Sequence, residues 1–268
     1  MYTSYYAMSC NPFLKDESIK YPFASEDYKQ TIERFRYLTE IKGIGLFVGN
    51  TGLGKTYVIR SFIEKLNKDL YKILYISANQ NMNLFNFLKT ISDAFGLDIG
   101  SCYYTNIYKN IQKEIQRIVM QERRKVILFI DDAHLLKKNI LNNFKILYDF
   151  EMDSKDYVTL ILVGNPELKQ ELSKIIYEPL KQRILVNYTF MGLSREEVKE
   201  YVMSRLNIAN ASSHIFTPDA LQALYACCKS SPRRLNTLVI NCLMLGSQRK
   251  KATIDSEIVM DAKKEMEV

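Results

Sequence analysis

The chain has 268 residues, of which 47% are hydrophobic and 25% are charged, with 10 Gly and 6 Pro. These ordinary globular values exclude a disordered, collagen-like or coiled-coil protein, and the length allows one large domain with a smaller companion. The net charge of +7 is spread along the chain and is compatible with a polyanionic partner. No apolar run approaches the ~20 residues that span a bilayer, and the first residues lack the features of a signal peptide. We therefore expect a soluble, cytoplasmic protein with no membrane partner.

Short apolar runs alternate with longer amphipathic stretches before residue 190. The apolar runs are 44–48, 73–77, 126–130 and 159–163, with 185–190 as a weaker fifth candidate. The amphipathic stretches are 57–68, 83–95, 107–121 and 141–150. Continuously apolar runs of this length are typical of strands buried on both faces. The alternation predicts an α/β fold, a three-layer αβα domain with a parallel sheet, over residues 1–190.

After residue 190 the pattern predicts helices without strands. Of four predicted helices, one (233–247) follows a break at Ser231-Pro232, and the other three begin with a cap: Ser194 with Glu197, Thr217 before Pro218, and Asp255. Such side chains accept hydrogen bonds from the first free N–H groups of a helix, and proline is tolerated in the first turn. The sequence therefore predicts a small helical lid domain over residues 191–268.

The strongest motif follows the first apolar run. Residues 49–56 have the sequence GNTGLGKT and match GxxxxGK(S/T), between a predicted strand and a predicted helix. The glycines let successive backbone N–H groups turn toward phosphates, and the start of the helix adds a positive field. Lys55 is expected to bind the β- and γ-phosphates and the Thr56 hydroxyl to bind Mg²⁺. The predicted ATP-binding residues here are Gly49, Asn50, Thr51, Gly52, Leu53, Gly54, Lys55, Thr56 and Tyr57.

A second acidic element supports this interpretation. The sequence VILFIDD at 126–132 is an apolar run that ends in two carboxylates. Asp131, at the end of the strand, is predicted to hold Mg²⁺ through water. Asp132 is predicted to orient or deprotonate the attacking water, as a general base does. His134 has two alternative interpretations, a residue that couples the site to a partner or an ordinary histidine at the start of a helix.

The pairing of GNTGLGKT with FIDDAHLL resembles the AAA+ superfamily of P-loop ATPases. The resemblance implies that Asn165, in LILVGNPEL, is the sensor 1 residue that positions the attacking water. It also implies that Arg183, in LKQRI, is an arginine finger for a neighbouring subunit's γ-phosphate, and that Arg233, in SPRRLN, is the sensor 2 arginine. The nucleotide is then expected between the two domains, with its base near Asn11, Pro12 and Phe13.

Within AAA+, the sequence is similar to the ExeA-like group, which includes the ATPase subunits of DNA transposition systems of the MuB, TnsC and TniB type. The similarity is carried by NPF at 11–13, the segment 23–38, IDDAHLL, LVGNPEL and PRRLN. It implies a homo-oligomer, a ring or a filament, that binds double-stranded DNA without sequence preference and stimulates a transposase. Secretion-associated members carry a membrane helix and a wall-binding module after the ATPase; this sequence shows neither, which favours transposition.

Two departures from the group affect hydrolysis rather than binding. Asp132 replaces the usual Glu and has a shorter reach, and Asn165 stands where the group often has Gln. The expected ATPase is therefore slow or stimulated by DNA or a partner. Two alternatives remain open: a helicase loader or replication initiator of AAA+ build, and a nucleotide-gated signalling or scaffold module with little hydrolysis.

Several basic clusters are candidates for contacts with DNA phosphates. One is a stripe of Lys109, Lys113 and Arg117 on a predicted helix; the others are 123–125, 137–138 and 249–251. Contacts of this kind carry no sequence preference. A solvated helix face is the alternative for each cluster, and no single residue is assigned to DNA.

Overall fold

Five strands form one sheet in the computed structural model, which describes residues 2–14, 21–98, 103–148, 150 and 155–266, without the side chains of 145–148. The strands are β1 Ile44–Val48, β2 Tyr71–Ser77, β3 Lys125–Asp131, β4 Val158–Gly164 and β5 Ile184–Thr189. Their order in the sheet is β2-β3-β4-β1-β5, and each neighbouring pair is parallel. The predicted parallel sheet is confirmed.

The position of each strand in the sheet explains the strength of its sequence signal. The interior strands β1 and β4 are buried along their whole length, and β3 is buried after its first residue. The edge strand β5 has a neighbouring strand on one side only, and its residues alternate between half-buried and exposed. This alternation is why the fifth apolar run was the weakest of the five.

Helices lie between the strands in the chain and continue after β5. In chain order they are α1 Tyr2–Tyr5, α2 Glu26–Ile41, α3 Lys55–Lys65, α4 Leu84–Phe95, α5 Tyr104–Met120, α6 Lys138–Tyr148, α7 Pro166–Leu172, α8 Glu178–Lys181, α9 Arg195–Ile208, α10 Pro218–Cys228, α11 Pro232–Gln248 and α12 Ser256–Met266. On one face of the sheet, Leu46 and Leu128 share a core with residues of α4, α5 and α6. On the other face, Phe35 of α2 lies 4.7 Å from Phe47 and 5.4 Å from Phe129, between ring centroids. The three-layer αβα architecture is therefore confirmed.

The chain divides into two compact units. We call Gln30–Asn50 with Val58–Phe190 the sheet unit, and Met1–Lys29 with Thr51–Tyr57 and Met191–Val268 the helical unit. Apolar residues near the start of the chain, Tyr6, Met8 and Phe13, are buried in the same core as the C-terminal helices. This packing differs from an N-terminal domain that begins at residue 1, while the functional boundary between a nucleotide-binding domain 1–190 and a lid 191–268 stays a prediction.

The three predicted caps of the helical unit are confirmed, and Ser231 is a fourth cap that the sequence analysis did not assign. The side chains accept hydrogen bonds from backbone N–H groups as follows: Ser194 from Glu197, Thr217 from Ala220, Ser231 from Arg234, and Asp255 from Ile258. Each cap satisfies a donor that the helix itself leaves free, so these residues fix where the helices begin. Among the described residues, no helix has both the length and the apolar character needed to cross a bilayer.

Candidate nucleotide-binding site

Three of the predicted site residues lie at one edge of the sheet unit. Asp131 is the last residue of β3, and Asn165 directly follows β4. Gly49 follows β1, and its N–H donates a hydrogen bond to the Gly164 carbonyl at the end of β4, at 3.1 Å. Since all five strands are parallel, their carboxyl ends meet at this edge, where open α/β sheets bind ligands. The P-loop therefore starts beside the strand ends that carry the acidic and amide side chains.

The Asp131 carboxylate is 2% exposed and is held by donors from two directions. Its Oδ1 accepts the Asp132 N–H at 2.9 Å, and its Oδ2 accepts the Tyr75 hydroxyl at 3.0 Å. Burial of the phenol and the negative charge of Asp131 raise the pKa of Tyr75 well above its ordinary value, so this hydroxyl keeps its proton at neutral pH. A buried carboxylate requires such donors to offset its lost hydration. No motif in the sequence predicted a role for Tyr75.

Asp132 has a left-handed backbone conformation, with φ 52° and ψ 34°. Aspartate and asparagine tolerate this region better than most residues, because their short polar side chains bond locally. The residue is half-buried and precedes the 3₁₀ turn Ala133–Leu135. Its predicted role toward the attacking water stays a prediction, and the backbone geometry shows that Asn is the least disruptive replacement.

Asn165 is fixed by two neighbours and leaves one buried acceptor unused. Its N–H donates to His134 Nδ1 at 3.4 Å, and its Nδ2 donates to a Glu167 carboxylate oxygen at 3.2 Å. Its Oδ1 is buried and has no hydrogen-bond partner within the described parts of the chain. Gly164 permits a close approach of the two backbone segments, because a Cβ there would lie 3.3 Å from the backbone nitrogen of His134. His134 thus links the turn after β3, which contains Asp132, to the end of β4.

In the helical unit, the second half of the P-loop contacts the start of α11. Gly52 and Gly54 have φ angles of 87° and 95°, which favour glycine. The Gly52 carbonyl accepts the Ser231 hydroxyl at 3.1 Å and the Arg233 N–H at 3.3 Å. The structure therefore brings the predicted sensor 2 residue next to the P-loop. The contact of Ser231 was not foreseen, because the sequence indicated only that Ser231-Pro232 marks a break before a helix.

A buried cation also lies beside the P-loop helix. Arg205 is 1% exposed, donates to the Tyr21 carbonyl at 2.9 Å and lies 4.8 Å from the ring centroid of Tyr201. The Tyr201 hydroxyl donates to Asn236 Oδ1 of α11 at 2.8 Å. Burial raises the pKa of Tyr57 to about 12, against the opposing effect of a hydrogen bond from Arg205. This network connects α9, α11 and the first turn of α3, and sequence periodicity alone does not indicate it.

Comparison with known families accords with this geometry. A family model described as an AAA domain matches residues 39–172, half of the chain. The chain belongs to this AAA domain family. The matched segment contains the P-loop, Asp131, Asp132 and Asn165.

Among curated proteins, general secretion pathway protein A of Aeromonas hydrophila is 29% identical over 250 residues. The match covers 93% of this AAA domain protein but 45% of that relative, so the chain spans less than half the length of the relative. The transposition subtype remains part of the proposal below.

Solved structures share the fold. Cdc6p of Pyrobaculum aerophilum has a TM-score of 0.69 at 16% identity, covering 94% of this chain and 71% of that one. The Aeropyrum pernix ORC1 protein, solved in complex with DNA, has a TM-score of 0.66 at 19% identity, with coverages of 95% and 68%. The RuvB Holliday junction branch migration motor of Thermotoga maritima has a TM-score of 0.54 at 19% identity, with coverages of 97% and 72%. At these identities the likeness establishes the AAA+ fold.

Arg183 lies at the end of the sheet where the parallel strands begin, opposite the end that carries Asp131. It directly precedes β5, which runs parallel to β1, and it lines a shallow groove with Ile44 at the start of β1. The length of β1, about 13 Å at 3.3 Å per residue, separates that groove from the edge where the P-loop begins. The geometry of the sheet unit thus places Arg183 away from the Asp131 edge of the same protomer. Its role as an arginine finger stays a prediction.

The predicted base-binding segment lies in the helical unit. Phe13 is 2% exposed and belongs to the core of that unit. Asn11 is tied locally, because its Oδ1 accepts the Phe13 N–H at 3.2 Å and its Nδ2 donates to the Tyr2 hydroxyl at 2.6 Å. Pro12 is buried between them. The role of these residues toward the base stays a prediction.

The basic stripe of α5 is only partly available to a partner. Lys109 and Lys113 are exposed, opposite a buried row of isoleucines. Arg117, however, forms ion pairs with Glu114 at 2.6 Å and with Glu122 at 2.7 Å. These two carboxylates reduce the positive potential at the C-terminal end of the stripe. The structure thus leaves two exposed lysines as the candidates of this cluster for phosphate contacts.

Proposed function

We propose that this AAA domain protein is an ATPase that assembles into a homo-oligomer on double-stranded DNA in its ATP-bound form. The observation that carries the proposal is the buried Asp131 carboxylate, which two donors hold at the sheet edge where the P-loop begins. A carboxylate fixed at the end of a buried strand is suited to a metal that accompanies phosphates.

The side chains present fit ATP with Mg²⁺. Two P-loop glycines with positive φ let backbone N–H groups turn toward phosphate oxygens, and α3 begins at Lys55. Lys55 would bind the β- and γ-phosphates, while Thr56 and Asp131 would hold the metal. The bound Mg²⁺ would neutralise part of the phosphate charge during transfer.

The hydrolytic step would use Asp132 and Asn165 to position the attacking water. Asp132 would accept a hydrogen bond or a proton from that water. The unused Oδ1 of Asn165 would accept a hydrogen bond from the same water, since the contact of Nδ2 with Glu167 holds the side-chain amide. Arg233 would contact the phosphates from the start of α11. In these roles Asp132 and Asn165 position the water, while Lys55 and the metal stabilise the charge on the phosphates.

A second copy of the chain is supported by the surroundings of Arg183. Ile175 and Ile176 are 90% and 61% exposed, and Ile176 lines the same groove as Arg183. Exposed apolar side chains next to a charged one are typical of a protein interface. We place the neighbouring protomer at this groove, so that Arg183 would complete the site of that protomer and couple assembly to hydrolysis.

The finer part of the proposal concerns the purpose of the ATPase. Sequence motifs alone support DNA transposition, in which the ATP-bound oligomer would mark a target and activate a transposase. The ORC1 neighbour was solved with DNA, which supports a DNA-bound AAA+ protein and also the initiator or helicase-loader alternative. The general secretion pathway relative favours a second candidate function, a nucleotide-driven protein switch that does not need DNA.

Turnover of ATP tests the proposal. Wild type, Lys55→Ala and Asp132→Asn should be compared with and without duplex DNA, each checked for folding by circular dichroism. We expect hydrolysis by wild type that duplex DNA stimulates, and none above background by the two variants. Hydrolysis that DNA leaves unchanged, together with no DNA binding at low salt, would favour the protein switch. Transposition requires in addition that wild type, and not Lys55→Ala, stimulates strand transfer by a transposase.

A further inference from the structure

The Tyr75 hydroxyl donates a hydrogen bond to the Asp131 carboxylate, and Tyr75 belongs to none of the motifs discussed so far. It lies on the edge strand β2, where it is paired in register with Phe129, while Ser77 is paired with Asp131. The tyrosine ring therefore extends along the sheet by two residues and brings its hydroxyl to the carboxyl end of β3. A shorter side chain at the same position would not reach this oxygen.

The two donors fix the plane of the carboxylate. Rotation of an aspartate about its terminal bond is broad and roughly two-fold, so a single donor leaves the oxygens free to exchange. The Asp132 N–H occupies Oδ1 and the Tyr75 hydroxyl occupies Oδ2, at 2.9 and 3.0 Å. An ionised carboxylate offers about four acceptor positions, so two donors do not exclude a metal-bound water as a ligand. The arrangement thus holds the carboxylate in one orientation.

We infer that Tyr75 is a positioning residue for the magnesium site, acting through Asp131 rather than on the nucleotide. The inference rests on the proposed ATP and magnesium site. Hydrogen-bond partners of metal ligands commonly set ligand orientation, and their removal weakens metal binding while the ligands themselves remain. Tyr75 therefore lowers the Mg²⁺ concentration that the protein needs to bind nucleotide as the metal complex. Binding of metal-free nucleotide does not involve this hydroxyl.

The chain offers a matched control on the same strand. Tyr71 lies four residues earlier, on the same face of β2, because side chains alternate along a strand. It is paired in register with Lys125, whose amine lies 5.9 Å from the Tyr71 ring centroid, at the opposite end of the strand from Asp131. Tyr71→Phe removes a hydroxyl from β2 without touching the carboxylate. Tyr75 is 45% exposed, so Tyr75→Phe is expected to fold normally.

The test is the Mg²⁺ dependence of nucleotide binding. A fluorescent ATP analogue is titrated into full-length wild type, Tyr75→Phe and Tyr71→Phe, first in EDTA and then at increasing MgCl₂. We expect all three to bind equally within about twofold in EDTA, and the half-saturating MgCl₂ of Tyr75→Phe to rise by about three- to tenfold, with Tyr71→Phe unchanged. In an Asp131→Asn background, Tyr75→Phe should have no further effect, because the two act as a unit.

Three other results would contradict the role of Tyr75, and the third would also contradict the proposed function. A half-saturating MgCl₂ for Tyr75→Phe within twofold of wild type, or a decrease, would overturn the role of Tyr75 while the ATP site of wild type stands. Equal shifts for Tyr75→Phe and Tyr71→Phe would also overturn it, as they would show a general effect of β2. Wild type that binds the analogue without any response to MgCl₂ would contradict the proposed function itself, and the role of Tyr75 with it.

Discussion

The contact between the P-loop and the start of α11 leads to a prediction that separates two glycines of the same loop. Gly52 and Gly54 both have positive φ, at 87° and 95°. A Cβ at Gly54 would meet nothing within 4 Å, whereas a Cβ at Gly52 would lie 2.7 Å from the Ser231 Oγ and 3.2 Å from the Arg233 Cβ. Alanine at either position carries the same backbone strain. Only Gly52→Ala also disturbs the contact with α11.

The magnitudes follow from these two terms. The left-handed region costs an alanine about 1–2 kcal/mol, so Gly54→Ala should lower the free energy of unfolding by about that amount. Gly52→Ala should lose the same, and about 1–2 kcal/mol more. The additional loss arises because the Ser231 hydroxyl must move away from the Gly52 carbonyl, which it now contacts at 3.1 Å, and a hydrogen bond contributes about 1 kcal/mol.

Urea unfolding without nucleotide measures the difference, and amide hydrogen exchange at the start of α11 locates it. We expect faster exchange at residues 232–236 in Gly52→Ala than in Gly54→Ala. Ser231→Ala introduced into Gly52→Ala should cost less than Ser231→Ala alone, because the overlap with Oγ disappears. Equal free energies of unfolding for the two glycine variants, within about 0.5 kcal/mol, and equal exchange at α11 would refute the contact.

The remaining predictions concern hydrolysis and assembly. Asp132→Asn should bind ATP as wild type does and lose turnover, because asparagine keeps the left-handed backbone but cannot accept a proton. Turnover above a tenth of the wild-type rate would contradict this role. Arg183→Ala should leave nucleotide affinity within about twofold and abolish the concentration-dependent part of turnover; full activity would remove Arg183 from the neighbouring site. Ile176→Asp should reduce assembly in analytical ultracentrifugation, because a charge replaces a 61%-exposed apolar side chain, while Met244→Asp, at an exposed position of α11, should not.

The sequence predicted much of the sheet and of the helical unit, because the local signals there agree with the final environment. Strands β1, β3 and β4 are buried on both faces, and a continuously apolar run is the sequence counterpart of that position. The caps at Ser194 and Thr217 are local interactions within four residues. The burial of the N-terminal segment with the C-terminal helices was not predicted, because it depends on contacts far apart in the chain, such as the hydrogen bond from the Tyr6 hydroxyl to the Lys251 carbonyl, 245 residues away.

In the candidate site, the motifs identified the residues that carry charge but not those that orient them. Asp131 is recognisable because an acidic residue ends an apolar run. Tyr75, which donates to it, lies within the apolar run 73–77, and nothing in that run distinguishes it from a residue of the core. Arg205 stands within a helix of mixed polarity, and only the tertiary structure shows that it is buried against Tyr201 and Tyr57. Such partners are found by spatial contact, for which one sequence holds no periodic signal.

The central claim is that ATP at the P-loop controls binding to DNA, and one measurement tests it most directly. The affinity of wild type and Lys55→Ala for duplex DNA is measured at fixed low salt with a slowly hydrolysed ATP analogue, with ADP and without nucleotide. The account predicts that the analogue tightens wild-type binding by about 10–100-fold over ADP and leaves Lys55→Ala unchanged. Wild-type affinity that is the same in all three conditions, or a Lys55→Ala variant that responds as wild type does, would contradict it.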